Sequence, residues 1–203
     1  MSTSRNNETR HAEKMKKRKT AQDKKTALKT IEKGLLIVHT GTGKGKSTAA
    51  FGMAMRAIAH GNQIGIVQFI KGAWESGERK IFEAYPEQVE IHALGEGFTW
   101  ETQDKARDIE LSEQAWAKAK QLIRDPEIDM VILDELNIVL RYDYLPLAEV
   151  VEELKARPEL THVIVTGRNA KDDLIEAADL VTEMSLIKHP FRGGVKAQAG
   201  IEY

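Results

Sequence analysis

The 203 residues contain no cysteine. That excludes disulfide scaffolds, thiolate zinc sites, iron–sulfur clusters and cysteine nucleophiles. No apolar run approaches the ~18 residues of a membrane span. The basic N-terminus lacks the apolar stretch of a signal peptide. A cytoplasmic protein with no membrane partner is the expectation. Six histidines (His11, His39, His60, His92, His162, His189) are scattered, none paired at metal-ligand spacing. No Ser/His/Asp or Cys/His arrangement stands out. What is present is ordinary for a globular domain, with 41% hydrophobic and 30% charged residues, enough to bury a full core without a disulfide or structural metal.

The net charge of −1 hides a segregation. Residues 1–34 carry eleven Lys/Arg against four Asp/Glu, a charge of +7, so the remaining 169 residues carry −8. Residues 1–33 therefore read as a basic, partly helical N-terminal arm, and residues 34–203 as one domain. A basic arm suits either a solvated extension or nucleic-acid binding. No aromatic residue occurs in it to stack on a single strand, and the acidic body argues against nucleic acid as a partner.

Beyond Gly34, short apolar runs alternate with amphipathic stretches. Strands are predicted at 35–38, 63–70, 89–93, 130–133, 162–166 and 180–187. Helices are predicted at 46–60, 78–84, 102–124, 146–156 and 172–178. The alternation gives an α/β fold with a mainly parallel sheet and helices on both faces. Ligands in such sheets bind beyond the carboxyl ends of the strands. Four polar groups fall there: the 41–47 loop, Lys71, Asp134-Glu135 and Gly167-Arg168.

Thr40 to Thr48 (TGTGKGKST) resembles a phosphate-binding loop, G-x-x-x-x-G-K-[ST], between a strand and a helix. Its glycines let backbone N–H groups turn toward phosphate oxygens, and the following helix adds its positive end. Lys46 supplies a charge and is expected near solvent and phosphate rather than in the core. Ser47 offers a hydroxyl for Mg²⁺. Thr40 stands where the pattern has its first glycine. Val131 to Glu135 (VILDE) resembles the acid-tipped strand that organises the magnesium in such sites. These features make the expected fold class α/β, P-loop NTPase-like (RecA-like), and say nucleotide, not which chemistry: hydrolysis, kinase action, strand transport and group transfer all use them.

Further stretches narrow the choice: QFIKG (68–72), GFTWET (97–102), LDEL (133–136), YDYLP (142–146), KHPF (188–191) and GVKAQAGIEY (194–203). In this order the set resembles the P-loop class of ATP:corrinoid adenosyltransferases, acting on cob(I)yrinic acid a,c-diamide or cob(I)alamin, from about Gly34 to Tyr203. The resemblance implies attack of a Co(I) corrinoid on the 5′-carbon of ATP, with triphosphate leaving, in adenosylcobalamin biosynthesis and corrinoid salvage. A proton-free cobalt nucleophile requires no general base, in keeping with the missing triads. The competing reading is a P-loop ATPase or small-molecule kinase, yet no arginine-rich lid is apparent.

Carried over residue by residue, Gly41, Thr42, Gly43, Lys44, Gly45, Lys46, Ser47 and Thr48 would bind the triphosphate, with Lys46 and Glu135 catalytic. Many relatives have Asn at Thr42 and Thr at Ser47. Ser47 keeps the hydroxyl, whereas Thr42 lacks the amide. Ser47 and Glu135, with Asp134 in support, would hold Mg²⁺, or Mn²⁺ in its place. Arg56, about three helical turns after Lys46, is placed either on the nucleotide or in a surface ion pair. Phe98 and Trp100 read from the residues alone as packing or as a binding surface; the resemblance makes them corrinoid-binding, crowding out the lower axial ligand of cobalt. It also implies ATP as co-substrate, a reduced flavin or flavoprotein as electron donor, and a homodimer.

Overall fold

The computed structural model describes residues 2–70, 77–95 and 104–202. Lys71, Phe98 and Trp100 lie outside the described residues. The chain forms two compact units, residues 1–32 and 33–203. The first is helix α1 (Ser2–Ala27) with a short tail. From residue 10 onward its side chains are exposed.

The second unit is built on six strands: β1 (Leu36–Thr40), β2 (Ile64–Gln68), β3 (Val89–Ala93), β4 (Met130–Asp134), β5 (His162–Thr166) and β6 (Leu180–Glu183). They lie in the order β3-β2-β4-β5-β1-β6, and every pairing is parallel. Between them run α2 (Lys46–Ile58), α3 (Gly77–Phe82), α4 (Lys105–Arg124), α5 (Leu136–Arg141), α6 (Leu147–Lys155) and α7 (Asp172–Ala177).

The continuous apolar runs of the central strands divide residue by residue between two cores, because successive strand side chains point to opposite faces. Leu36, Val38, Val131, Leu133, Val163 and Val165 pack with α4, α5, α6 and α7. Ile37, Met130, Ile132 and Ile164 pack with Ala50, Phe51 and Ala54 of α2 and with Phe82 of α3. Trp116 belongs to the first core.

Boundaries differ from the sequence reading in places with visible causes. Helix α4 starts at Lys105, where Asp104 Oδ1 accepts a hydrogen bond from Arg107 N at 3.1 Å and caps it. Strand β6 stops at Glu183 rather than 187. Just beyond it Met184 N donates to Thr40 O and Met184 O accepts from Gly43 N, so the chain turns to brace the phosphate loop. Helix α5 is absent from the sequence reading. Its six residues, which follow Asp134-Glu135, make fewer than two turns and are too few to show a helical period.

Candidate nucleotide site at the carboxyl end of the sheet

Strand order decides which loops meet. β5 lies between β4 and β1, so the loop after β1 and the acids after β4 flank the end of β5. There, Gly43 to Thr48, Glu135 and Arg168 line a cavity of about 490 Å³, together with Gly77, Glu78, Ile81, Gly200, Ile201 and Glu202.

The phosphate loop is held from outside. Gly41, at φ +95°, sits where a Cβ would come within 2.5 Å of Met184 O. Thr40, the departure from the loop pattern, has a use: its Oγ1 accepts from Ala170 N at 3.0 Å, tying the loop to the segment after β5. Of the residues assigned to the loop, Gly43 to Thr48 line the cavity. Gly41 is buried behind it and Thr42 is exposed; neither lines it.

Lys46 is buried, at 7% exposure, a correction to the expectation of a solvent-near side chain. Its Nζ donates to Gly43 O at 2.5 Å. Burial pushes its amine below the usual lysine range. Glu135 opposes the shift, and the nearby cations Arg168 and Lys44 add to it. A buried ammonium flanked by two further cations is an arrangement that a polyanion stabilises.

The two acids divide their work. Glu135 lines the cavity. It takes φ +66°, a left-handed conformation uncommon outside glycine, and its backbone N–H donates to Thr166 Oγ1 at 2.9 Å. Asp134, expected among the metal ligands, does not line the cavity. It is fully buried, and its oxygens accept from Thr166 Oγ1 at 2.8 Å and Gln68 Nε2 at 3.0 Å. Thr166 therefore links the hidden acid to the one that faces the cavity. Arg56 is exposed near the far end of α2, about 15 Å along the helix axis from Lys46, and does not line the cavity.

Three contributors carried no role in the sequence reading. Arg168 follows Gly167 (φ +125°), where a Cβ would come within 2.8 Å of Asn137 Cβ. Asn137 Nδ2 donates to Gly167 O at 2.9 Å and fixes that turn. The signal for Arg168 was its position just past a buried strand. Glu202 pairs with Lys44, and Glu78 lies in the first turn of α3. Glu202 falls in the 194–203 stretch that carries the family resemblance, and Glu78 has no local signature.

The family described as ATP:corrinoid adenosyltransferase BtuR/CobO/CobP matches residues 32–203. A corrinoid adenosyltransferase of Sinorhizobium sp is 63% identical over 96% of this chain and 92% of that protein. The chain belongs to the ATP:corrinoid adenosyltransferase family. Corrinoid adenosyltransferases of Pseudomonas aeruginosa and Escherichia coli are 54% and 47% identical, over 96% of this chain and 96% and 98% of theirs. The solved RadB recombinase overlaps 78% of each chain at a TM-score of 0.47 and 14% identity. Membership makes the chain an adenosyltransferase using ATP as co-substrate and a corrinoid as acceptor, and does not favour the ATPase or kinase alternative. No helix among the described residues is long and apolar enough to cross a membrane.

Proposed function

We propose that this adenosyltransferase binds the triphosphate of ATP as a leaving group between residues 43–48 and Arg168, while the Co(I) of a reduced corrinoid attacks the 5′-carbon. The cobalt electron pair forms the Co–C bond. The C5′–O bond breaks and its pair departs on triphosphate, so no proton needs to move. The observation that carries this reading is Lys46, a buried cation beside Lys44 and Arg168 in a cavity at the carboxyl end of the sheet. Negative charge grows on the leaving oxygens in the transition state, and preorganised cations there lower the barrier.

Ser47 and Glu135 would hold Mg²⁺, or Mn²⁺. A hydroxyl and a carboxylate are hard oxygen donors, and such an ion is commonly held by one or two carboxylates plus substrate phosphates. When bound it neutralises phosphate charge. Asp134 positions Glu135 through Thr166 instead of ligating. Phe98 and Trp100 would press on the lower face of the corrin and displace its axial ligand, raising the Co(II)/Co(I) potential toward that of a mild donor. A reduced flavin or flavoprotein would supply the electron. Residues 34–203 would be the catalytic domain, acting as a cytoplasmic homodimer. Family resemblance supports these last assignments.

The test is anaerobic: purified protein, Mg²⁺, ATP and a corrinoid reduced to Co(I) by a strong chemical reductant. The expected result is intact triphosphate in step with the cobalt spectral change. Corrinoid-independent release of ADP and orthophosphate would overturn the reading. In the same assay, Phe98→Ala with Trp100→Ala should lose little from Co(I) but much from Co(II) with a reduced flavin. Equal losses would remove the axial-ligand role.

A further inference from the structure

The cavity that holds Lys46 is chemically divided. Its floor is charged and polar: the phosphate loop, Glu135 and Arg168. Among the described lining residues, the only large apolar side chains are Ile81 and Ile201. Ile81 lies in α3 and is 46% exposed; Ile201 is 77% exposed.

Ile201 is not on a loose segment. It belongs to a turn in which Ile201 N and Glu202 N both donate to Gln198 O, at 3.1 and 2.9 Å, with Gly200 at φ +77°. The Glu202 carboxylate pairs with Lys44 of the phosphate loop. The turn that carries Ile201 is thus fastened to the loop that would take the phosphates, although 158 residues separate Lys44 from Glu202. Two branched aliphatic side chains on one cavity, Ile81 about half uncovered and Ile201 largely so, offer their apolar area to whatever is joined to the polyanion on the floor.

We infer that Ile81 and Ile201 form the nucleoside subsite, clasping the base and ribose of ATP while residues 43–48 take the triphosphate. This rests on the reading of the Lys46 loop as the triphosphate site. Flat aromatic heterocycles gain from such contacts in proportion to the area removed from water. Truncating either side chain to alanine should weaken ATP about fivefold, and truncating both roughly twentyfold.

The experiment compares two probes by calorimetry on the full chain with Mg²⁺: ATP, and inorganic tripolyphosphate, which has no nucleoside. Ile81→Ala, Ile201→Ala and the double variant are expected to weaken ATP by those factors and to leave tripolyphosphate unchanged. Both side chains are substantially exposed, so the variants should fold. Equal weakening of both probes would overturn the subsite and leave the turn as a support for the loop. Unchanged binding of both would overturn it as well, as would a rise confined to the KM for corrinoid, which would give these residues to the corrin face. The parent reading fails separately: wild-type protein that does not bind tripolyphosphate, or Lys46→Ala that binds it as tightly as wild type, would remove the triphosphate site itself.

Discussion

Thr166→Val swaps a hydroxyl for a methyl at a fully buried position with almost no change of shape. The hydroxyl donates to Asp134 Oδ1 at 2.8 Å and accepts from Glu135 N at 2.9 Å. Losing the first removes a donor from a buried carboxyl group, roughly 2 kcal/mol. Losing the second removes an acceptor from the Glu135 backbone N–H, about 1 kcal/mol more. A total near 3 kcal/mol corresponds, for a chain of this length, to a fall of about 6–12 °C in Tm. The same change frees Glu135 from the acceptor that helps hold it at φ +66°. If its carboxylate swings by an ångström, turnover should drop about a hundredfold. Chemical denaturation gives the first number and the Co(I) assay the second. Thr166→Ser keeps the hydroxyl and should retain most of both. A Thr166→Val protein within 0.5 kcal/mol of wild type, with near-normal turnover, would refute the idea that Thr166 couples the two acids.

Two further predictions concern pH. Burial holds the Lys46 amine below 10.5, so the native state releases this proton before the unfolded chain does. Between the lowered value and 10.5 the unfolded state binds more protons, and the Lys46 contribution to stability rises with pH. Denaturation of wild type and Lys46→Met across the alkaline range should therefore show the difference moving in favour of wild type as pH climbs to 10.5; a constant difference would contradict the shift. The Asp179 carboxyl is held below 3.8, first by its hydrogen bond from Lys33 and then by that from Leu36 N. Its contribution is present above 3.8 and is lost as pH falls through the lowered value, so the stability gap between wild type and Asp179→Asn should narrow in that acid window. A gap that persists to the lowest pH would contradict the pairing.

Features with a local origin were legible in the chain. The phosphate loop declares itself because glycines, a lysine and a hydroxyl must be contiguous to wrap phosphate. The parallel sheet follows from short β-branched runs alternating with helical stretches, and the charge segregation of residues 1–34 is a matter of counting. Helix α5 is not legible in the chain because its six residues are less than two turns, too few for a helical period to show. Spacing put Arg56 on a plausible face of α2, but three helical turns also carry it about 15 Å along the axis from Lys46, and it does not line the cavity.

Which acid faces the cavity was also beyond local reading. Asp134 and Glu135 are adjacent and chemically alike. The pleat of β4 turns Asp134 inward to Gln68 and Thr166, and the left-handed step at Glu135 turns the next carboxylate out. Thr166 and Glu202 reach the site only because the strand order sets β5 between β1 and β4 and the later turn pairs with Lys44. Contacts across 31 to 158 residues have no short-range pattern to betray them. The glycine, lysine and hydroxyl pattern of residues 40–48 was written in the sequence, and tertiary structure chose the partners that surround it.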